Sequence, residues 1–477
     1  MADLPNIIYI MADDMGYGDL GCYGAEKIPT PNMDSIAANG IKFMDAHSSS
    51  AVCTPSRYSV MTGRYCWRTW LKRWVIGGFG APLIEPERET VASMLKKQGY
   101  ATFAVGKWHL GLNWRVSKDE YLLKDGGFGT LNEKHLDGFN VDYSQRIDGG
   151  PVDLGFDRFW GISGSLDMPP YCFIEDAGTI GIPNQEKSPY SPQQRKGMMT
   201  EDWKDDQCDV NFTAKAREYI TQHNAEKPDQ PFFMYMTPAA PHRPCVPPEF
   251  IKGRSQAGAR GDAVCLIDWM VGEILKTLRE LGIEENTLLM VTSDNGARAT
   301  CYDGNDYGHK SNGNWRGQKA DIWEGGHREP LVMQWPAVIK PGAECEQTVC
   351  LADLMATCVE ITGFEVSDNL GEDSVSFLSL LKNTAADKVR DTLIHHSGAG
   401  MFSIRKNNWK MIAGLGSGGF TDPQWSEPAK GGPEGQLYDL TSDPAETNNL
   451  YLAKPDVVED MMKDLLNTIN DDSKLKL

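Results

Sequence analysis

Four short apolar runs, NIIYIM (6–11), YATFAVG (100–106), PFFMYM (231–236) and TLLMVTS (287–293), are bounded by turn residues and lack polar alternation. Such runs predict parallel strands buried on both faces, because a strand with one wet face alternates. Between them, NMDSIAANG (32–40), ETVASMLKKQG (89–99) and DAVCLIDWMVGEILKTLRELG (262–282) carry apolar residues at helical spacing, the last two stopped by Gly99 and Gly282. Strand and helix in alternation predict an α/β fold built on a large, doubly wound, mostly parallel sheet.

The tracts 111–153 and 164–205 are rich in Gly, Asp and Pro and fit neither period, which predicts long surface loops. Beyond about residue 370 the pattern changes to short alternating pieces, MFSIRKNNWKMIAG and GQLYDLTSD, and then to one helix, PDVVEDMMKDLLNTI. The expected division is a large N-terminal domain over 1–370 and a smaller C-terminal subdomain, an antiparallel sheet plus a helix, over 371–477. The chain carries no repeat at solenoid or propeller spacing.

Composition narrows the functions. A chain of 477 residues, 40% hydrophobic and 24% charged, has the make-up of a globular protein, and no stretch is long and apolar enough to span a bilayer. The formal net charge of −19 argues against broad binding to nucleic acid or to anionic lipid, so an anionic substrate has to be met by a local cluster of cations. Eleven cysteines, an odd number with no C-x-x-C pair, leave at least one thiol unpaired within the chain. The opening MADLPNIIYI lacks the basic start, apolar middle and cleavage site of a leader. Its first strand nevertheless begins almost at once, as it would after a leader had been removed. The expected location is periplasmic or secreted in that case and cytoplasmic otherwise.

In open α/β sheets ligands bind beyond the carboxyl ends of the strands. Here the strands end in ADD (Asp13, Asp14), GKWHLG (Lys107, His109), TPAAPHRP (His242) and SDNG (Asp294, Asn295). Taken alone, Asp294-Asn295-Gly296 reads as a turn or a helix cap. Two acidic strand ends without paired thiols point instead to a hard cation, Ca2+ or Mg2+ rather than zinc. Lys107 and His109 alternate, and in extended backbone they point the same way, a cation beside a titratable imidazole. His242 lies among prolines that fix its backbone, and Lys319 lies in GNWRGQKADIWEGGHREP, a loop that can fold over a site.

Cys53 opens CTPSRYSVMTGR, and C-x-P-S-R followed by T-G-R resembles the signature of type I sulfatases. PNIIYIMADDMGYGDLGCYG, GKWHLG, PHRP, SDNG, GQKADIWEGGHREP and LYDLTSDPAETNNL resemble further blocks of that family in family order, from residue 5 to about 450. The resemblance implies an alkaline phosphatase-like fold and a motif cysteine, Cys53, oxidised after translation to Cα-formylglycine by a sulfatase-maturing enzyme. It also implies one Ca2+ bound by Asp13, Asp14, Asp294, Asn295 and the modified Cys53. Arg57 and Lys107 would then hold the formylglycine hydrate, and His109 would be the base that breaks the hemiacetal. His242 and Lys319 would contact the sulfate and assist the leaving oxygen.

The implied reaction is hydrolysis of a sulfate monoester to alcohol and sulfate. Three alternatives stand beside the glycan reading: an arylsulfatase acting on a small non-sugar ester, a phosphonate or phosphodiester hydrolase of the same superfamily, and a non-catalytic sulfoglycan binder. RYCWRTWLKRWVIGG (64–78) combines Trp with Arg and Lys, as suits anionic sugars, although Trp67, Trp70 and Trp74 at helical spacing equally suit a core. This stretch and HKSNGNWRGQKADIWEGGHR resemble bacterial carbohydrate sulfatases acting on 6-O-sulfated galactose or N-acetylgalactosamine. On that basis Arg73, His309 and Lys310 are expected pocket residues and the enzyme is expected to act on chain ends.

Overall fold

The computed structural model describes residues 4–122, 137–298, 300, 304–364 and 370–471. The expected strands form at Asn6–Ala12, Ala101–Lys107, Phe232–Thr237 and Thr287–Ser293. With Arg158–Ile162 they make five neighbouring parallel strands, in the spatial order 287–293, 6–12, 232–237, 101–107 and 158–162. On one side Leu331–Gln334 pairs antiparallel with 287–293, Ile41–Phe43 pairs antiparallel with Leu331–Gln334, and Ala343–Cys345 closes that edge parallel to Ile41–Phe43. Two short strands close the other, for ten in all.

Period-two geometry sends Ile7, Tyr9 and Met11 to one core and Ile8, Ile10 and Ala12 to the other. The helices Cys53–Thr62, Val91–Lys97 and Leu354–Thr362 cover the first face; Pro31–Asn39, Cys208–Glu226 and Gly258–Leu281 cover the second. With both faces dry, the central strands are apolar throughout, and the polar residues that remain are pushed to the strand ends. Gly282, at φ 70°, ends the longest of these helices by donating to the Leu278 and Arg279 carbonyls.

Three elements carry too weak a pattern to be read from sequence. The strands 158–162 and 331–334 are short and emerge from loops. The helix 208–226 has a stripe of small and polar residues, including buried Asp209 and Thr213. The tract 164–205 is mostly irregular, as expected; of 111–153, residues 123–136 lie outside the described residues.

Strands Thr392–His396, Phe402–Lys406, Trp409–Ile412 and Gln436–Asp439 form the antiparallel four-stranded sheet, and the helix Pro455–Ile469 packs on it through Val458, Met461 and Leu465. Trp67 is buried in this small core, whereas Leu370, Phe377, Leu378, Leu380 and Leu381 join the large one. Residues 365–369, beside the expected boundary, lie outside the described residues.

The two sheets meet across a buried ionic cluster. Arg328 reaches Asp45 at 2.5 Å and Glu324 at 2.8 Å, Arg405 reaches both at 3.2 Å, and Lys410 lies 3.1 Å from Glu324 and 2.9 Å from Glu446. Three cations thus offset three carboxylates. Threaded through them, His47 Nε2 donates to Asp45 (2.8 Å), His327 Nδ1 donates to His47 Nδ1 (3.1 Å), and Lys410 donates to His327 Nε2 (3.0 Å). His395 stacks on His327 at 3.8 Å. Although the nitrogens of His47, His327 and His395 lie close enough for a metal, the Lys410 ammonium already occupies one of them.

That chain of bonds works only with neutral imidazoles. Burial holds His327 and His395 well below the ordinary histidine pKa and also lowers His47. The unfolded chain therefore takes up protons first as pH falls. Stability is full above the ordinary value near 6.5 and is lost below it, by up to about 1.4 kcal/mol per pH unit for each histidine. The urea midpoint is expected to drop between pH 7 and pH 5, and less steeply in His395→Gln; a midpoint unchanged over that range would contradict the account.

Candidate active site

The carboxyl ends of the strands 6–12, 287–293 and 101–107 place Asp13, Asp14, Asp294, Asn295, Lys107 and His109 together, and the segment following the fourth strand, 232–237, adds His242. All seven are buried. Asp14 (φ 66°), His109 (φ 58°) and Ala320 (φ 73°), next to Lys319, adopt the left-handed backbone that side chains disfavour. Each is held on both sides. Asp14 N–H donates to Asp294 Oδ1 and its carbonyl accepts from Arg260; His109 N–H donates to Ser163 and its carbonyl accepts from Thr54. Ala320 N–H donates to Ala51, and its carbonyl accepts from Gly398.

Cys53 is the first residue of the helix Cys53–Thr62, with extended Val52 before it. Pro55 falls in the first turn, where its missing N–H costs no hydrogen bond. Gly63 (φ 65°) ends the helix by donating to Ser59, and a Cβ on it would lie 2.7 Å from Gly371 Cα. Arg64 is packing rather than chemistry: it binds Tyr58 Oη (3.0 Å) and Glu85 (3.4 Å). All ten residues of the helix are buried.

Three cations clamp three carboxylates around the Cys53 sulfur. Lys107 Nζ lies 2.6 Å from Asp13, Arg57 Nε 2.9 Å from Asp294 Oδ2, and Lys319 Nζ 2.6 Å from Asp14. Cys53 Sγ is 3.4 Å from Asp13 Oδ1 and 3.3 Å from Lys319 Nζ. Against the cost of burial, Lys107 and His242 hold Asp13 well below the carboxylate range, and Lys319 lowers Asp14. Burial prevails over Arg57 at Asp294, pushed up to about 6. It also raises the Cys53 thiol, with Asp294 adding to the effect, so this sulfur is a poor nucleophile.

The histidine tautomers are fixed by carbonyls, which only accept. His109 Nε2 donates to Ile76 (2.7 Å), leaving Nδ1 bare and buried without a partner among the described residues. Burial, then Lys107 and Arg57, hold this ring well below the usual pKa and therefore neutral. His242 Nδ1 donates to the Arg243 carbonyl (2.9 Å), which turns Nε2 to within 3.7 Å of Asp14 Oδ2.

The donor set suits a hard cation. Ligand atoms of Asp13, Asp14, Cys53 and Asp294 lie within 4.8 Å of one another. Beside them Asn295 Oδ1 is buried with no hydrogen bond among the described residues, while its Nδ2 donates to Asp14 at 2.7 Å. An amide oxygen so placed could join the carboxylates in holding an ion.

Asp14, Cys53, His109, His242 and Lys319 line one cleft, together with Trp74, Gln193, Arg243, Arg298 and Phe420. The expected pocket residues Arg73, His309 and Lys310 do not line it. Arg73 is exposed, His309 turns to Asp19 (2.8 Å), and Lys310 is exposed beside Asn314. Loop residues have no period to reveal their direction. Of the three tryptophans, Trp67 is core, Trp70 is exposed and only Trp74 faces the cleft. Arg298 and Phe420 were missed because neither belongs to a recognisable motif.

The sulfatase family model matches residues 5–364, and that of the N-sulphoglucosamine sulphohydrolase C-terminal region matches 315–473. The chain is 32% identical to an N-acetylgalactosamine-6-O-sulfatase of Bacteroides thetaiotaomicron, covering 98% of this chain and 93% of the relative. It is 30% identical to bovine arylsulfatase A, covering 100% and 88%. A solved sulfatase structure from the glycosaminoglycan metabolism of B. thetaiotaomicron superposes with a TM-score of 0.83 at 30% identity, over 98% of this chain and 99% of that one. A phosphonate monoester hydrolase of Agrobacterium radiobacter, 17% identical with a TM-score of 0.59 over 97% and 95% of the two chains, shares the fold.

The Lys319 loop is fixed by Asp321, whose carboxylate accepts from the N–H groups of Gln318 (3.0 Å), Phe420 (2.8 Å) and Thr421 (3.0 Å). Removing it in Asp321→Ala is expected to lower kcat on an aryl sulfate by about 10- to 100-fold through misplacement of Lys319. Thermal unfolding of the same variant separates this from loss of fold; wild-type kcat would show that the loop holds without it.

Proposed function

The chain belongs to the sulfatase family and is a sulfuric ester hydrolase, and from that premise we propose how its own residues do the work and on what. The reading is an enzyme acting on chain ends, releasing sulfate from 6-O-sulfated galactose or N-acetylgalactosamine, with Cys53 converted to Cα-formylglycine and one Ca2+ held by Asp13, Asp14, Asp294, Asn295 and the modified Cys53. The observation that carries it is Cys53 at the start of a buried helix, between Asp13 and Lys319, on the floor of the cleft.

Formylglycine, as its hydrate, supplies an oxygen to attack sulfur and a second hydroxyl through which sulfate can afterwards be expelled. The ion supplies positive charge for the sulfate oxygens. Arg57 and Lys107 hold the carboxylates that fix this position, so the reacting group does not reorganise during turnover. His109, neutral and bare at Nδ1, takes a proton there. Lys319, beside the reacting position, offsets charge on the sulfate; His242, whose Nδ1–H is committed to the Arg243 carbonyl, takes up a second proton at Nε2 beside Asp14, and this imidazolium proton passes to the departing alcohol. Because the whole CTPSR segment is buried, the maturing enzyme has to act before this helix docks.

The substrate assignment is supported by the N-acetylgalactosamine-6-O-sulfatase relative across nearly the whole chain. The net charge of −19 further disfavours a long polyanion over a short or terminal one. The stacked Trp74 and Phe420 rings favour a second reading, a small aryl sulfate. Sulfate release from a panel of sulfated mono- and disaccharides separates the two.

In active protein, the mass of the peptide containing Cys53 is expected to be lower by the difference between a thiomethyl group and an aldehyde; unmodified cysteine in fully active enzyme would overturn the mechanism. Ca2+ at about 100 times its Kd is expected to stabilise the fold by about 2.7 kcal/mol. A thermal shift lost in Asn295→Ala and Asp294→Asn is the check, and a shift retained in both would place the ion elsewhere.

A further inference from the structure

Most cations of the cleft are already engaged. Lys319 binds Asp14, Arg243 Nε lies 3.0 Å from Asp167, and Arg260 lies 2.6 Å from Asp19. Arg298 is different: half-buried, and among the described residues no carboxylate forms an ion pair with it. Its guanidinium lies over the Phe420 ring, 5.4 Å from the centroid. Burial and the nearby Arg243 both disfavour its charge. Asp14 and Asp167 offset part of that cost from further away, but with no carboxylate in contact among the described residues the guanidinium is available to a ligand.

Its ring partner belongs to a built surface. Phe420 stacks on Trp74 with the ring centroids 5.7 Å apart and the planes 23° from parallel. Trp74 holds a left-handed backbone (φ 58°) and donates its N–H to the Gly398 carbonyl at 2.6 Å. A Cβ on Gly398 would come within 2.8 Å of the Trp74 ring and 3.0 Å of Ala320 Cβ. Phe420 is tied to Asp321 through its own N–H. Segments around 74, 398 and 420 thus converge on one stack, anchored at Ala320 and Asp321, the next two residues along the chain from Lys319.

We infer that Arg298 and the Phe420–Trp74 stack form a subsite for the part of the glycan beyond the sulfated ring, where a sugar face rests on the rings and Arg298 pairs with a second anionic group. That group is a carboxylate of a neighbouring uronic acid or a second sulfate ester; both accept a forked guanidinium. The inference rests on the glycan reading above and adds a preference within it.

The test compares kcat/KM for wild type, Arg298→Ala and Arg298→Lys. The substrates are a 6-sulfated N-acetylgalactosamine, its disaccharide with a uronic acid, the same disaccharide with the carboxylate reduced to an alcohol, and that reduced disaccharide carrying a second sulfate ester on the neighbouring sugar. Arg298→Ala is expected to lose about 10- to 100-fold on the substrate carrying the second anion and markedly less on its neutral counterpart. Arg298→Lys is expected to lie between, because it keeps charge but not the fork. A loss confined to the uronate pair identifies the carboxylate; one confined to the disulfated sugar identifies the sulfate. Equal losses on charged and neutral sugars, with thermal unfolding unchanged, would overturn the subsite and leave the glycan reading intact. Wild-type turnover of an aryl sulfate but of no sulfated sugar would overturn both.

Discussion

The structure depends on three buried ion pairs that share one pocket: Lys107 with Asp13, Arg57 with Asp294, and Lys319 with Asp14. Removing one member of such a pair strands a charge out of water, a cost of about 3–5 kcal/mol. The cluster therefore ties five regions of the chain together as a unit: the ends of the strands 6–12 and 287–293, the Cys53 helix, the strand 101–107 and the 319 loop. Cys53 is placed by this electrostatic frame as much as by its helix, since its nearest polar neighbours are Asp13 and Lys319.

The small sheet is part of the same construction. Its segments supply Gly398, which accepts Trp74 and donates to Ala320, and Phe420 with Thr421, which bind Asp321. The 319–322 backbone is thus held from the C-terminal side, while the Asp45–Glu324–Arg405–Lys410 cluster locks the two sheets together beneath it. In this chain, the positioning of Lys319 and the attachment of the second sheet are one structural problem.

How much was legible follows from what each residue depends on. The continuous apolar runs could only be doubly buried strands, and that constraint placed Asp13, Asp14, Lys107, His109 and Asp294 at one edge. The motif around Cys53 carries its own local reason, a Pro-bearing first turn and a Gly stop. Arg73, His309 and Lys310 share the chemistry of a pocket but not its location, because a loop side chain takes its direction from tertiary partners such as Asp19. Trp74 shows the same limit from the other side. Helical spacing in 64–78 suggested one face, yet residues 66–68 make only a single turn and Trp74 leaves in the left-handed region. The joint of His47, His327 and His395 gathers residues from three remote segments with no periodic signal at all.

The charge distribution then resolves an apparent contradiction. A protein of net charge −19 repels an anionic ligand at a distance, yet its cleft is floored by a lysine and ringed by arginines. Beyond a Debye length of about 8 Å the outer charge is screened at physiological salt, and inside the cleft the local set governs. Arg243 and Arg260 are balanced by Asp167 and Asp19, so they shape the wall without adding net charge. Lys319 is likewise balanced by Asp14, so the field that a ligand meets comes chiefly from the Cys53 helix N-terminus and from Arg298, both among the residues that line the cleft. Selectivity for one anion among many is then a matter of spacing between these groups rather than of total charge.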